Sequence, residues 1–242
     1  MTTLSIIIPT LQKDITILNK LIDILDRDEC VSEIIIIDNS TKGLSSNSDK
    51  VFTVIPKKNL FVNPAWNLGV EHAKNNIFAL FNDDLLVCEN FCSKVMDLIK
   101  YKEDFGALGM ATDSVVNTHN PKIPNETSFF IEEDLSSMEY NWGCIIFGRK
   151  DIFKPIPNKI KIWCGDDFIR FNAKNQNLKV FRLQNAIINH IGSLSVNNSK
   201  IKKLCYKDCL KYAKIDPNMK NKEIYKKALK KTFLYKLTHL FN

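Results

Sequence analysis

The sequence predicts an α/β protein with a mixed, mostly parallel central sheet, followed by a helical extension at the C-terminus. Short apolar runs rich in β-branched residues, at 4–8, 33–37 and 77–81, predict buried strands. Segments with helical periodicity separate these runs, which is the pattern of parallel strands joined by crossover helices. The chain has 242 residues, enough for one such domain and an appendage.

The first half of the chain alternates strand and helix signals in a regular order. Pro9 ends the first apolar run, and the apolar residues from Ile15 to Leu25 then recur at the spacing of an amphipathic helix. The predicted elements are strands at 4–8, 33–37, 51–55, 77–81 and 106–110, helices at 15–25, 64–74 and 91–99, and a polar loop at 41–50.

The second half is less regular. Residues 112–137 are polar and contain Pro121 and Pro124, so they predict a long loop, which in a compact domain usually has a function or is disordered. The further predicted elements are a strand at 141–147, a helix at 166–175, a strand or hairpin at 179–189, and two helices after residue 200 that are broken near Pro217.

Composition excludes several classes of protein. With 45% hydrophobic and 25% charged residues, the chain is neither disordered nor collagen-like. Its apolar runs are far shorter than the roughly 18–20 residues of a membrane span, and no secretory signal is visible, so we expect a cytoplasmic protein. Seven cysteines, an odd number without a CxxC pair, indicate reduced thiols rather than disulfides or a zinc site.

The net charge of +7 comes from the C-terminal extension. Residues 200–242 contain 13 lysines and three acidic residues, whereas residues 1–199 are slightly acidic. We therefore divide the chain into a domain at 1–199 and a lysine-rich helical extension at 200–242. The extension is expected to pack on the domain, to mediate self-association, or to contact an anionic membrane surface peripherally. Nucleic acid is not an expected partner, because the chain has only four arginines and lacks a base-stacking surface.

Polar residues follow three of the predicted strands. Thr10 follows the first, Asp38 the second, and Asn82, Asp83 and Asp84 follow the strand at 77–81. The carboxyl ends of parallel strands lie at one edge of a sheet, where ligands bind. The acidic run suits Mg²⁺ or Mn²⁺ bridging a diphosphate, although a turn or helix cap would use the same residue types.

Four segments together resemble the nucleotide-binding half of GT-A glycosyltransferases of the inverting family 2 type. They are residues 4–10 (LSIIIPT), 34–40 (IIIIDNS), 63–69 (NPAWNLG) and 81–84 (FNDD). In the second half, Trp142-Gly143, residues 163–167 (WCGDD) and residues 190–193 (HIGS) resemble motifs of rhamnosyltransferase-like members. The resemblance covers about residues 3–196 and implies a nucleoside-diphosphate sugar as donor substrate.

The resemblance implies roles for residues around the donor. Thr10 and Asp38 would contact the nucleoside, and Asn67 and Gly69 would help to shape its pocket.

It also implies a site for Mn²⁺ or Mg²⁺. Asp84 occupies the last position of the D-x-D motif and would bind the metal, and Asp83 would lie beside the ribose or sugar. His190 would be a further metal or diphosphate ligand. Asn82 replaces the first aspartate of the motif, which removes one charge from the usual sugar-nucleotide contact.

The acidic pair Asp166 and Asp167 is the candidate catalytic base. Adjacent residues on a helix point about 100° apart, so one can face the substrate while the other caps the helix or holds the acceptor. We favour Asp167, and Asp166 remains open because the sequence does not fix where the helix begins. Trp163, next to the pair, is a candidate for stacking on an acceptor sugar.

The predicted function is a metal-dependent inverting glycosyltransferase that moves a sugar to an acceptor hydroxyl on a glycan, a lipid-linked sugar or a protein. One alternative is a catalytically inactive sugar-nucleotide or glycan-binding module, which the Asn82 substitution favours. Another is a nucleotidyltransferase, but the segment after the first strand lacks the Gly-rich phosphate loop of such enzymes.

Overall fold

The computed structural model describes residues 3–135, 142–192 and 198–238, with side chains described up to residue 232. Residues 136–137 of the predicted loop, Asn141 of the predicted strand and Ser193 of the histidine motif lie outside this part of the chain. The main sheet has eight strands, and the bounds of each follow. They are β1 (Leu4–Thr10), β2 (Val31–Asp38), β3 (Val51–Val54), β4 (Ile77–Phe81), β6 (Phe105–Met110), β8 (Phe130–Glu133), β9 (Ile145–Arg149) and β10 (Lys179–Gln184).

The sheet is mixed and mostly parallel, which confirms the predicted fold class. Its spatial order is β3-β2-β1-β4-β9-β6-β10-β8. Strands β1 to β4 are parallel to their neighbours within that group, and β6 is parallel to β10. Strands β9 and β8 run antiparallel to the strands they pair with. Because β1 lies between β2 and β4, the carboxyl ends of these three strands meet at one edge.

Helices cover both faces of this sheet. Side chains of β1 alternate between the two faces, so Ile6 and Ile8 enter one core and Ile7 enters the other. Helices α1 (Ile15–Arg27) and α3 (Phe91–Ile99) pack on the first face. Helices α2 (Val62–His72), α4 (Gly165–Asn175) and α5 (Ser199–Tyr212) pack on the second.

A second, three-stranded sheet is built from short segments that are far apart in the sequence. It consists of β5 (Leu85–Leu86), β7 (Val115–Asn117) and β11 (Ile188–His190), with β11 in the middle. The prediction of one loop over 112–137 was therefore wrong, since β7 and β8 both fall within it. Of the strand or hairpin predicted over 179–189, the strand is formed as β10 and the hairpin is not, because β10 and β11 belong to different sheets.

The C-terminal extension contains α5 and α6 (Glu223–Thr238), joined through a 3₁₀ turn at Pro217–Asn221. Three side chains of α5, those of Tyr206, Cys209 and Tyr212, are buried in the same core as α2 and α4. This contact agrees with the interpretation that the extension packs on the domain. The boundary at residue 199 stays a prediction.

Candidate active site

The first part of the site forms where β1 and β4 end. Thr10 is buried, and its hydroxyl donates a hydrogen bond of 2.6 Å to Asp83 Oδ2. Burial raises the pKa of Asp83 to about 6, with the charge of Asp84 adding to the shift and the hydrogen bond from Thr10 opposing it. The structure therefore brings together two residues that the sequence separates by more than 70 positions.

The small sheet places His190 beside Asp84. His190 pairs with Leu85 across β11 and β5, and the backbone N–H of Ile191 donates to Asp84 O at 2.9 Å. As a result, His190 Nε2 lies 3.0 Å from Asp84 Oδ1. On the other side of the ring, Nδ1 lies 3.2 Å from Asn117 Oδ1 on β7. Since an amide oxygen only accepts, this contact places a ring proton on Nδ1, and Nε2 is the ring atom that faces Asp84.

This pair fits a divalent cation. Two acceptor atoms, a carboxylate oxygen and a buried ring nitrogen, face each other and need a proton or a metal ion between them. Two atoms that bind the same octahedral ion at right angles are about 3 Å apart. The Asn117 contact is the kind of outer hydrogen bond that orients metal-binding histidines. No group of three or more His, Cys, Asp and Glu side chains suited to a metal occurs in the described part of the chain.

Asp38 is fully buried at the end of β2, beside Thr10 in the strand register. Its carboxylate accepts hydrogen bonds from the backbone and hydroxyl of Ser40 and from Gly43 N. Gly43 O in turn accepts a bond from the side chain of Gln12, which joins the loops after β1 and β2. Asp38 thus orders the loop at this edge, and its nucleoside contact stays a prediction.

Asn67 and Gly69 have structural contacts on α2. The Asn67 amide makes two hydrogen bonds of 2.8 Å with the backbone of Ile156, one donated and one accepted. A Cβ on Gly69 would lie 2.2 Å from Ile7 Cγ2, so only glycine allows α2 this close to β1. These contacts account for both residues without a nucleotide, and their predicted role in the nucleoside pocket remains untested.

Asp166 lies on the side of α4 that faces the end of β4. A Cβ on Gly143 would lie 3.0 Å from Asp166 Oδ2, and the next residue, Cys144, accepts a backbone hydrogen bond from Asn82. Burial is the main cause that raises the pKa of Cys144 to about 12, and the nearby charges of Asp84 and Asp166 add to the shift. Burial, and then the charge of Asp167, hold the pKa of Asp166 above its ordinary value.

Asp167 faces the C-terminal extension instead. Its Oδ1 lies 3.1 Å from Nζ of Lys222, and its backbone oxygen accepts a 3.0 Å hydrogen bond from the hydroxyl of Tyr212. Helix α4 begins at Gly165, after Cys164 in the left-handed backbone region, and this start fixes the direction of both carboxylates. Asp166 therefore lies toward the sheet edge, whereas Asp167 lies toward the extension.

The sequence model described as "Glycosyl transferase family 2" matches residues 5–156, which is more than half of the chain. The protein belongs to glycosyl transferase family 2. The match includes Thr10, Asp38 and the Asn82-Asp83-Asp84 run, and it ends before α4. None of the curated proteins is detectably similar in sequence to this family 2 chain.

Solved structures of similar fold include three glycosyltransferases. Staphylococcus aureus TarS, residues 1–349, has a TM-score of 0.56 at 12% identity, over 86% of this chain and 65% of TarS. GalNAc-T7, solved with UDP, GalNAc and Mn²⁺, has a TM-score of 0.60 at 13% identity, over 83% of this chain and 47% of its own. The mannosyltransferase PcManGT of Pyrobaculum calidifontis, solved with GDP-Man and Mn²⁺, has a TM-score of 0.60 at 9% identity, over 87% of this chain and 64% of its own.

These similarities show that the family 2 chain has the GT-A fold, as the sequence motifs predicted. The chain spans only about half to two thirds of the length of these three structures. Among its described helices, none is both long and apolar enough to cross a bilayer.

Three residues of the site were missed by sequence reasoning. Asn117 lies in a three-residue strand, and Tyr212 and Lys222 lie in the extension. None of them carries a signal that separates it from other polar residues of the family 2 chain. Their positions follow from pairing and packing that only the fold provides.

Proposed function

We propose that the protein is a metal-dependent glycosyltransferase that transfers a sugar from a nucleoside-diphosphate sugar to an acceptor hydroxyl with inversion. The observation that carries the proposal is the group formed by Thr10, Asp83, Asp84 and His190 at the carboxyl edge of a family 2 domain. Structures of the same fold were solved with UDP or GDP-Man together with Mn²⁺. This supports a nucleotide donor and a divalent metal for this chain as well.

Asp84 and His190 would hold the metal, and donor diphosphate oxygens and water would complete its coordination. The metal would supply charge that stabilises the departing diphosphate. Thr10 holds the Asp83 carboxylate in place, so that it can bind a hydroxyl of the donor. Asp38 holds the loop that would contact the nucleoside.

Asp166 is the proposed catalytic base. Its carboxylate takes the proton of the acceptor hydroxyl while the acceptor oxygen bonds to the anomeric carbon and the bond from that carbon to the diphosphate breaks. A raised pKa makes this carboxylate a stronger base than an exposed aspartate. Attack from the side opposite the leaving group gives the inverted configuration. Trp163, half-buried beside the pair, is the proposed platform for an acceptor sugar.

A thermal-shift screen tests the proposal. Nucleoside-diphosphate sugars based on UDP, GDP and dTDP are each mixed with the protein in Mn²⁺, Mg²⁺ or EDTA. At about 100 times the Kd, one donor with a divalent ion should raise the Tm by about 5–10 °C, because it binds only the folded state. EDTA should abolish the shift. The proposal fails if no donor shifts the Tm under any of the metal conditions.

A further inference from the structure

We infer that the C-terminal extension completes the catalytic site, with Lys222 as a positioning residue that fixes Asp167 and leaves Asp166 to face the substrate. This inference rests on the proposed function for its catalytic meaning. It assigns a role to a segment that lies outside the family match at residues 5–156.

The ion pair between Lys222 and Asp167 is sheltered from solvent. Its two side chains are 13% and 17% exposed, whereas those of the nearby pair Lys226 and Glu223 are 61% and 87% exposed. Exposed pairs contribute little to stability, while removing one partner of a sheltered pair leaves a charge uncompensated. Lys222 therefore restrains the Asp167 carboxylate in a way that surface lysines of the same extension do not.

The extension also holds the chain that leads into α4. Asp208 is fully buried on α5, and its carboxylate accepts hydrogen bonds from Lys161 N and Ile162 N at 3.0 and 2.8 Å. Cys209 Sγ lies 3.6 Å from Sγ of Cys164, the residue that precedes α4. These contacts fix the start of α4, and the direction of its acidic pair depends on that start.

Four further contacts place Lys222 itself. The Tyr212 hydroxyl donates to Asp167 O, and a carboxylate oxygen of Asp216 lies 3.3 Å from the same hydroxyl. The other Asp216 oxygen caps the 3₁₀ turn at Pro217–Asn221, and Lys222 N donates to Met219 O at the end of this turn. Lys222 thus reaches Asp167 from a turn anchored to the same tyrosine that binds the Asp167 backbone.

The adjacent carboxylates of Asp166 and Asp167 have different electrostatic surroundings. Lys222 offsets the charge of Asp167, so a neighbouring negative charge perturbs Asp166 less than it otherwise would. The other titratable or charged groups that act on this pair come from α4 and its N-cap, from α5 and from the 3₁₀ turn that contains Cys144. They are Arg170, which is ion-paired with buried Asp134, together with Tyr212, Cys144 and Cys164. Asp216, Cys209, Asp84 and Lys174 lie one step further out and interact with Tyr212, Cys164, Cys144 and Lys222, respectively.

The test compares Lys222→Met with Lys222→Arg, and uses Lys226→Met as the matched control. Nucleoside diphosphate release is measured against pH and donor concentration for each full-length variant. Lys222→Met should lower kcat about tenfold or more and leave the donor KM within about twofold, because the base is misplaced while the donor site is intact. The acidic limb of its pH–activity profile should move to higher pH by about one unit, since Asp167 is then an unpaired negative neighbour of Asp166. Lys222→Arg should keep most of the wild-type kcat, and Lys226→Met should match the wild type in kcat and in pH profile.

A second measurement does not depend on turnover. Carboxyl carbons of ¹³C-labelled aspartate are titrated by NMR in the wild type and in Lys222→Met, with Asp166→Asn and Asp167→Asn used for assignment. The Asp166 titration should move to higher pH in Lys222→Met, and adding Asp167→Asn to that variant should reverse the shift. Unchanged carboxyl titrations, or an active Lys222→Met with wild-type kcat and pH profile, would overturn the inference. A wild type that releases no nucleoside diphosphate counts against the proposed function alone, and the NMR result then decides the inference.

Discussion

Replacing Asp166 with asparagine is expected to lower kcat by about 10²–10⁴-fold, the usual contribution of a general base. Asparagine keeps the size of the side chain beside Gly143 but cannot take a proton. Donor affinity should stay within about threefold, because the Asp84 and His190 pair is untouched. Nucleoside diphosphate release at saturating donor measures kcat, and calorimetry with nucleotide and Mn²⁺ measures binding.

The control for this change is Asp167→Asn, which alters the adjacent carboxylate in the same way. Asp167 is paired with Lys222, so its amide variant should keep kcat within about tenfold of the wild type. The opposite ranking, an inactive Asp167→Asn and an active Asp166→Asn, would restore Asp167 as the base. In the wild type, the base must be deprotonated and its pKa is raised, so activity should fall on acidification at a higher pH than an ordinary aspartate would give.

Replacing Asp84 with asparagine should weaken the metal-dependent binding of UDP or GDP by at least about 100-fold. Losing a residue that only orients a metal ligand already costs about 10–100-fold in affinity, and Asp84 is a proposed direct ligand. Calorimetric titration of nucleoside diphosphate in Mn²⁺ and in EDTA measures the effect. In EDTA the variant and the wild type should bind nucleotide equally weakly, because the expected difference in affinity depends on the bound metal.

Asp97→Asn is the matched control for Asp84→Asn. Asp97 is an aspartate with a 71% exposed side chain, paired with Lys100 on α3, away from the sheet edge. The Asp97→Asn variant should bind nucleotide as the wild type does. Equal Mn²⁺-dependent affinities for Asp84→Asn and the wild type would remove Asp84 from the metal site.

The sequence was sufficient for the main sheet and most of its helices, because their signals are local. The apolar run of β1 and the helical periodicity of α1 are both clear, although β1 runs past the predicted stop at Pro9 to Thr10. The short strands β5, β7 and β11 were not predictable. Two or three residues carry no periodic signal, and these strands form only because distant segments pair.

The candidate site was predictable to the extent that motifs follow strands. Thr10, Asp38 and Asp84 were found because each comes directly after an apolar run. The choice between Asp166 and Asp167 was not predictable, since it depends on where α4 begins and on what packs beside it. Lys222 is one of 13 lysines in the extension, and only the fold distinguishes it from the others.

Proton NMR of donor turnover in Mg²⁺ tests the central claim most directly. The donor found in the thermal-shift screen is incubated with the wild type, and the first sugar released to water is observed before it mutarotates. The account predicts that nucleoside diphosphate and a sugar of inverted anomeric configuration appear together, and that EDTA or Asp166→Asn stops both. Release of a sugar with retained configuration, or a donor that binds and is never turned over, would contradict the account.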